Sequence, residues 1–118
     1  MTIAERPVDL DHLNRYTGGD PALNQEILKL FEDQCALTLA QLETLAKDDG
    51  AGSKSWRELT HTLKGAARGV GAFGLGEVAA EAEKISADKT AAMAVVHRLK
   101  SKSCAVQLFV DQVVNSPA

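Results

Sequence analysis

The 118-residue chain has no proline between Pro21 and Pro117, only five aromatic residues outside histidine, and two cysteines. A long proline-free stretch lets helices run uninterrupted, and the shortage of turn prolines and aromatics argues against a β-rich fold. Cys35 and Cys104 stand alone, with no CxxC pair and no histidine at ligand spacing. They read as small core residues of a reduced, cytosolic protein, not as a disulfide or zinc framework. No apolar run reaches membrane-spanning length, and Glu5 and Arg6 are followed by no apolar segment, so neither a membrane span nor a secretory signal is expected. Excess positive charge is also missing. The net charge of −3 argues against nucleic acid as the main partner.

What is present favours one helical domain over residues 1–118. The chain is 45% hydrophobic and 25% charged, and alanine and leucine, both strong helix formers, supply 32 residues. Asp9 caps a short helix over 9–16 that Gly18-Gly19 ends. Asp20-Pro21 then opens a long helix over 20–47, because Asp accepts from free N–H groups and proline suits the first helical position. Its apolar face reads Leu23, Ile27, Leu30, Phe31, Cys35, Leu39, Leu42 and Ala46. Ser53 or Ser55 starts a helix over 53–69, with Trp56, Leu59, Leu63, Ala66 and Val70 on its inner face. A glycine-rich turn leads to a helix over 74–87 carrying Leu75, Val78, Ala79, Ala82 and Ile85. Asp88 or Thr90 starts the last helix, over 90–114, with Val96, Leu99, Ser103, Val106, Val110 and Val113 inward; Met93 and Phe109 serve as core or edge packing. Four amphipathic helices joined by short loops predict an all-α, antiparallel four-helix bundle with a short extra N-terminal helix.

Charge is unevenly distributed. Residues 53–76 hold Lys54, Arg57, Lys64 and Arg68 against Glu58 alone, while the segment from Asp20 to Asp49 is strongly acidic. On a helical wheel of roughly 100° per residue, His61 falls opposite the apolar face, with Arg57, Lys64, Gly65 and Arg68 within about 60° of it. This neighbourhood suits a histidine that carries a phosphoryl group. A neutral imidazole is nucleophilic, nearby cations disfavour its protonation, and the same cations attract phosphoryl oxygens. Lys64, one turn on, is placed to touch such a group. Gly65 costs about 1 kcal/mol in a helix interior relative to alanine. Its place on the outer face suggests that a bare backbone gives a bulky partner access to the imidazole.

The run His61-Thr62-Leu63-Lys64-Gly65-Ala66-Ala67, followed by Val70-Gly71-Ala72, closely resembles the signature of histidine-containing phosphotransfer (HPt) domains of two-component phosphorelays. Gly18-Gly19-Asp20-Pro21 with Ile27, Leu30 and Phe31 resembles the start of that family's first bundle helix. The resemblance implies a phosphoryl group accepted on His61 from a receiver-domain aspartate or hybrid histidine kinase and passed to another response-regulator receiver. It implies Lys64 as the phosphoryl-stabilising lysine, Gly65 as the access glycine, and Arg57 and Arg68 as partner-facing cations. It implies no ATP site, no cofactor and no metal of the chain's own, since the Mg²⁺ for transfer sits in the partner receiver. Thr60 and Ala66 depart from the commoner alanine and serine, both by small changes. The expected protein is a cytoplasmic monomer that binds receivers and a sensor kinase, although an apolar edge near Phe109 to Val114 offers a surface for pairing two chains. The rival reading is a helical adaptor that binds signalling partners without being phosphorylated.

Two decoys lie in the same sequence. His97-Arg98-Leu99-Lys100-Ser101 repeats the H-x-L-K spacing, but Ser101 replaces the glycine and no small-residue turn follows, so His97 is assigned to the surface. His12 is assigned to the surface as well. Gly69-x-Gly71-x-x-Gly74 matches a dinucleotide fingerprint, yet that loop works only between a strand and a helix. The residues before it are helix-periodic, so the glycines are read as a turn between helices.

Overall fold

The computed structural model describes residues 6–114. Its helices are α1 (Leu10–Thr17), α2 (Pro21–Lys47), α3 (Lys54–Val70), α4 (Phe73–Glu83) and α5 (Lys89–Phe109), with a π-helical turn at Val110–Val114. Each start is set by a local cap. The Asp9 carboxylate accepts from His12 N, Asp20 from Ala22 N and Leu23 N, Ser53 from Trp56 N, and Asp88 from Ala91 N. Gly18 and Gly71 close α1 and α3 in the left-handed conformation that glycine adopts without penalty.

Helices α2 to α5 form the expected bundle. Each packs on its chain neighbours, and α2 closes the ring against α5, so the fold is all-α with α1 as the extra N-terminal element. Trp56, Leu28, Leu42, Leu75, Leu99 and Val96 are the large, fully buried side chains at its centre. Gly71 also explains how α1 is held. Its N-terminal cap lies against the α3–α4 turn: Asp9 N donates to Gly71 O at 2.8 Å, and a Cβ on Gly71 would stand 2.6 Å from Asp9 O.

Several assignments need correcting. Helix α4 ends at Glu83 and not near residue 87, in a tightened last turn where Lys84 N donates to Glu81 O at 3.2 Å and Ile85 N to Ala82 O at 3.1 Å, with the Trp56 indole N–H donating to that same Ala82 O at 2.8 Å. Helix α3 runs through Gly69 to Val70, so only Gly71 and Ala72 separate α3 from α4. Leu30 is 63% exposed and Leu23 is 38% exposed, whereas Leu28 is buried. Val113 is exposed and Val114 half-buried, since the π turn rotates the inner face by about one position. Phe109 and Met93 pack against the core edge. Cys35 is buried, as a core residue should be, but Cys104 is exposed. His12 is half-buried, its ring edge-on to Tyr16 and Phe73 at centroid distances of 5.4 and 5.0 Å.

Candidate functional site

The geometry around His61 is built by α3 and the end of α4. Trp56, one turn before Thr60 and fully buried, anchors α3 to the Ala82 carbonyl, and Glu83 is the next residue. Thr60 is buried too, and its hydroxyl donates to Trp56 O at 2.8 Å, which satisfies its polar atom within the helix. The inner face of α3 is therefore Trp56, Thr60, Leu63 and Ala67, while Leu59 and Ala66 are half-buried. The face is turned toward α4 because Gly76 lets that helix approach closely: a Cβ there would lie 3.0 Å from Arg68 Cγ and 3.7 Å from Ala67 Cβ.

This rotation leaves His61 outward, with 70% of its side chain exposed. The ring is not surrounded by cations alone, as the wheel suggested. Glu83 stands beside it, with Oε2 3.1 Å from His61 Nδ1 and the carboxylate 3.2 Å from Lys64 Nζ. Lys64 is only 20% exposed and lies toward α4. Arg57 lines the same open cleft of about 280 Å³ as Lys54, Glu58, His61 and Glu83, but its guanidinium donates to Gly52 O at 2.9 Å. Arg68 is exposed, with its stem along Gly76, and does not line that cleft. His61, Lys64 and Arg57 are thus brought together, and Arg68 is not.

Glu83 is the residue that sequence reasoning missed. It lies 22 residues from His61, and no local spacing links the two. The Lys64 hydrogen bond, joined by that of His61, holds the Glu83 carboxyl below the ordinary carboxylate range, against partial desolvation. An ionised carboxylate only accepts, so this contact is a hydrogen bond when Nδ1 carries the ring proton. The Nε2 lone pair then faces outward.

The surface around the ring is open. A Cβ on Gly65 or Gly69 would meet nothing within 4 Å, so neither glycine is required by packing. On the α2 side, a groove of about 590 Å³ runs between α2 and α3, lined by Gln34, Thr38, Gln41, Leu59 and Thr62 among others. Leu37, 65% exposed, and Leu30 flank that row on α2 at helical spacing, outside the core that the sequence pattern assigned to Leu30. No cluster of three or more His, Cys, Asp or Glu side chains among the described residues is placed to hold a metal, and no helix among them is long and apolar enough to cross a membrane.

A comparison with known families settles the class. The Hpt domain model matches residues 26–94, more than half of the chain, and the match contains His61, Lys64, Gly65 and Glu83. The chain belongs to the Hpt domain family. Its role is accordingly phosphotransfer in two-component signalling, and Hpt domains work with receiver domains and kinases. No curated protein and no solved structure gave a match.

Proposed function

We propose that this Hpt domain is a phosphorelay intermediate whose reactive atom is His61 Nε2. The observation that carries the reading is the exposed imidazole held through Nδ1 by Glu83, with Lys64 on the same carboxylate. In the step proposed, the Nε2 lone pair forms an N–P bond to the phosphorus of an aspartyl acyl phosphate, carried by a receiver domain that stands alone or belongs to a hybrid kinase. From an acyl phosphate, the P–O bond breaks and its electron pair stays on the released carboxylate. The metal for this step belongs to the receiver. Transfer to a second receiver runs the same bonds in reverse.

Lys64 offers a nearby positive charge to the phosphoryl oxygens, and Gly65 keeps the approach to the ring clear of side-chain atoms. Arg57 and Lys54 give the α4 side of the ring a positive margin that complements an acidic receiver pocket, while Leu30 and Leu37 offer apolar contact on the α2 side. Arg68, outside the cleft, is left as a peripheral contact. The binding partners proposed are receiver domains and a sensor or hybrid kinase, met by a monomer in the cytoplasm.

The test is transfer from a labelled phospho-receiver to wild-type protein and to the His61→Gln variant. Acid-labile label should appear on the wild type and be absent from His61→Gln. Equal labelling of the variant, or failure of the wild type to take label from any receiver or kinase of the same cell, would sink the reading.

A further inference from the structure

The two sides of the His61 ring differ in charge. Toward α4 lie Arg57, in the open cleft, and Lys64, on Glu83. Toward α2 the groove of about 590 Å³ is walled by glutamine, threonine, serine and leucine side chains, and Glu58 is the one charged residue lining it among the described residues. Glu58 is also the only acid in residues 53–76, and the only residue that lines both this groove and the cleft holding His61. The fold makes little use of that charge. The Glu58 side chain is 65% exposed, and its ion-pair partner Lys54 stands 3.8 Å away and is 86% exposed. Such a pair is weak in water, and lysine four residues before glutamate is the less favourable order on a helix.

A partner cannot avoid this carboxylate. Helix residues three apart are neighbours, with Cβ atoms about 5–6 Å apart. A receiver that brings its aspartyl phosphate onto Nε2 covers both sides of the exposed ring, so whatever it sets over Glu58 loses water together with that carboxylate. A cation there is gained as an ion pair, whereas an acid is repelled and an apolar group leaves a covered charge unpaired. Gln34, Gln41 and Thr62 can donate or accept, so they suit partners of either sign. Discrimination by charge is thereby concentrated in one side chain.

We infer that Glu58 is a specificity-determining residue of the transfer reaction. It admits receivers that present a lysine or arginine over the α2 side of His61 and disfavours those that present an aspartate or glutamate. The inference rests on His61 as the phosphoryl carrier and deepens that reading, because it states the chemistry of the receiver surface that is chosen. Glu58 acts on docking and not on the reacting atoms: among the described residues its carboxylate is hydrogen-bonded to neither His61 nor Lys64, both of which lie on Glu83.

The experiment measures kcat/KM for transfer to wild type, Glu58→Gln and Glu58→Lys from each receiver domain of the same cell, loaded with a small acyl phosphate. For the receivers that wild type prefers, kcat/KM should fall roughly threefold in Glu58→Gln and tenfold or more in Glu58→Lys, while poor receivers hold steady or gain. The change should lie in KM, with the saturated rate within twofold of wild type, and should shrink as ionic strength rises. An order of preference unchanged within twofold, an equal change for every receiver, or a loss confined to the saturated rate overturns the inference. The second arm takes the receiver that loses most and reverses its surface lysines and arginines to glutamate one at a time. One reversal should impair transfer to wild type and restore transfer to Glu58→Lys; if none does, the inference also falls. His61→Gln separates the two levels. Label on that variant, or no label on wild type from any receiver, defeats the assignment of the carrier. A labelled wild type with unchanged preference in both Glu58 variants defeats only the role given to Glu58.

Discussion

The segments His61-Thr62-Leu63-Lys64 and His97-Arg98-Leu99-Lys100 share one spacing and one helical geometry, yet their surroundings differ. In both, the leucine is buried, the histidine is exposed and the lysine is bound by a glutamate from another helix. At α3 that glutamate is Glu83, which reaches the imidazole as well as the lysine. At α5 it is Glu43 of α2, which binds Lys100 and also Lys47 at 2.8 Å, and the His97 ring has no hydrogen-bond partner among the described residues. Arg98 is likewise paired with Glu81 of α4 at 2.8 Å. The cations around His97 tie α5 to its neighbours, whereas Lys64 shares a carboxylate with a histidine. A four-residue pattern is therefore only half of a site. The other half is a group delivered by a different helix.

The comparison can be broken most directly at the histidines. His61→Gln should lose all acid-labile phosphorylation, and His97→Gln should take label as fast as wild type in the same gel assay; label lost from the second variant would make the two segments equivalent. The lysines should separate next. Lys64→Ala is expected to slow transfer roughly 100- to 1,000-fold, as for loss of one group that stabilises transferring charge. Lys100→Ala should leave the transfer rate unchanged and alter stability by less than about 1 kcal/mol in thermal unfolding, since its pair is exposed and Glu43 retains Lys47.

The fifth position of each segment gives a smaller, opposite pair of effects. Gly65→Ala meets open space, so it should stabilise the fold by about 1 kcal/mol while slowing transfer roughly tenfold through a displaced partner. Ser101→Gly should destabilise α5 by about 0.5 kcal/mol and leave transfer intact. Stability gained without any change in transfer by Gly65→Ala would remove the access role of Gly65.

The smallest effect concerns two carboxylates with opposite responses to pH. Burial, with the like charges of Asp111 and Asp33, pushes Glu32 above the ordinary carboxylate range, and its Oε1 is buried without a partner. The folded state then binds more protons than the unfolded state in that window, so the stability linked to Glu32 is present below the ordinary carboxyl value and is lost as pH rises through the folded one. Glu83, held low, contributes stability above the ordinary value that is lost as pH falls through its folded value. Glu32→Gln should raise neutral-pH stability on the order of 1 kcal/mol and flatten the loss above the ordinary carboxyl range. An unchanged melting profile from pH 4 to 7 would contradict this.

Much of the fold is legible in the chain itself because its signals are local. Asp9, Asp20, Ser53 and Asp88 cap the helices whose N–H groups lie two or three residues ahead, and Gly18 and Gly71 end helices by their own conformational freedom. The errors lie where neighbours decide. A wheel drawn for α3 alone puts Leu59 and Ala66 on the inner face, whereas packing in the bundle buries Thr60 and Ala67 and leaves Leu59 and Ala66 half-buried. The end of α4 lies earlier than its apolar pattern suggests, at a tightened turn whose Ala82 carbonyl accepts from Ile85 N and from the Trp56 indole of α3.

By itself the sequence determined the helical class, the caps, the outward placing of His61 and the bare surface at Gly65, because each depends on side chains within about one or two turns of one helix. Only the tertiary structure decided that Lys64 leans on Glu83, that Arg57 joins the cleft while Arg68 does not, and that Nδ1 of His61 has a carboxylate beside it. Those contacts join α3 to α4, and they form only when burial of Trp56 and the close approach at Gly76 fix how the two helices pack.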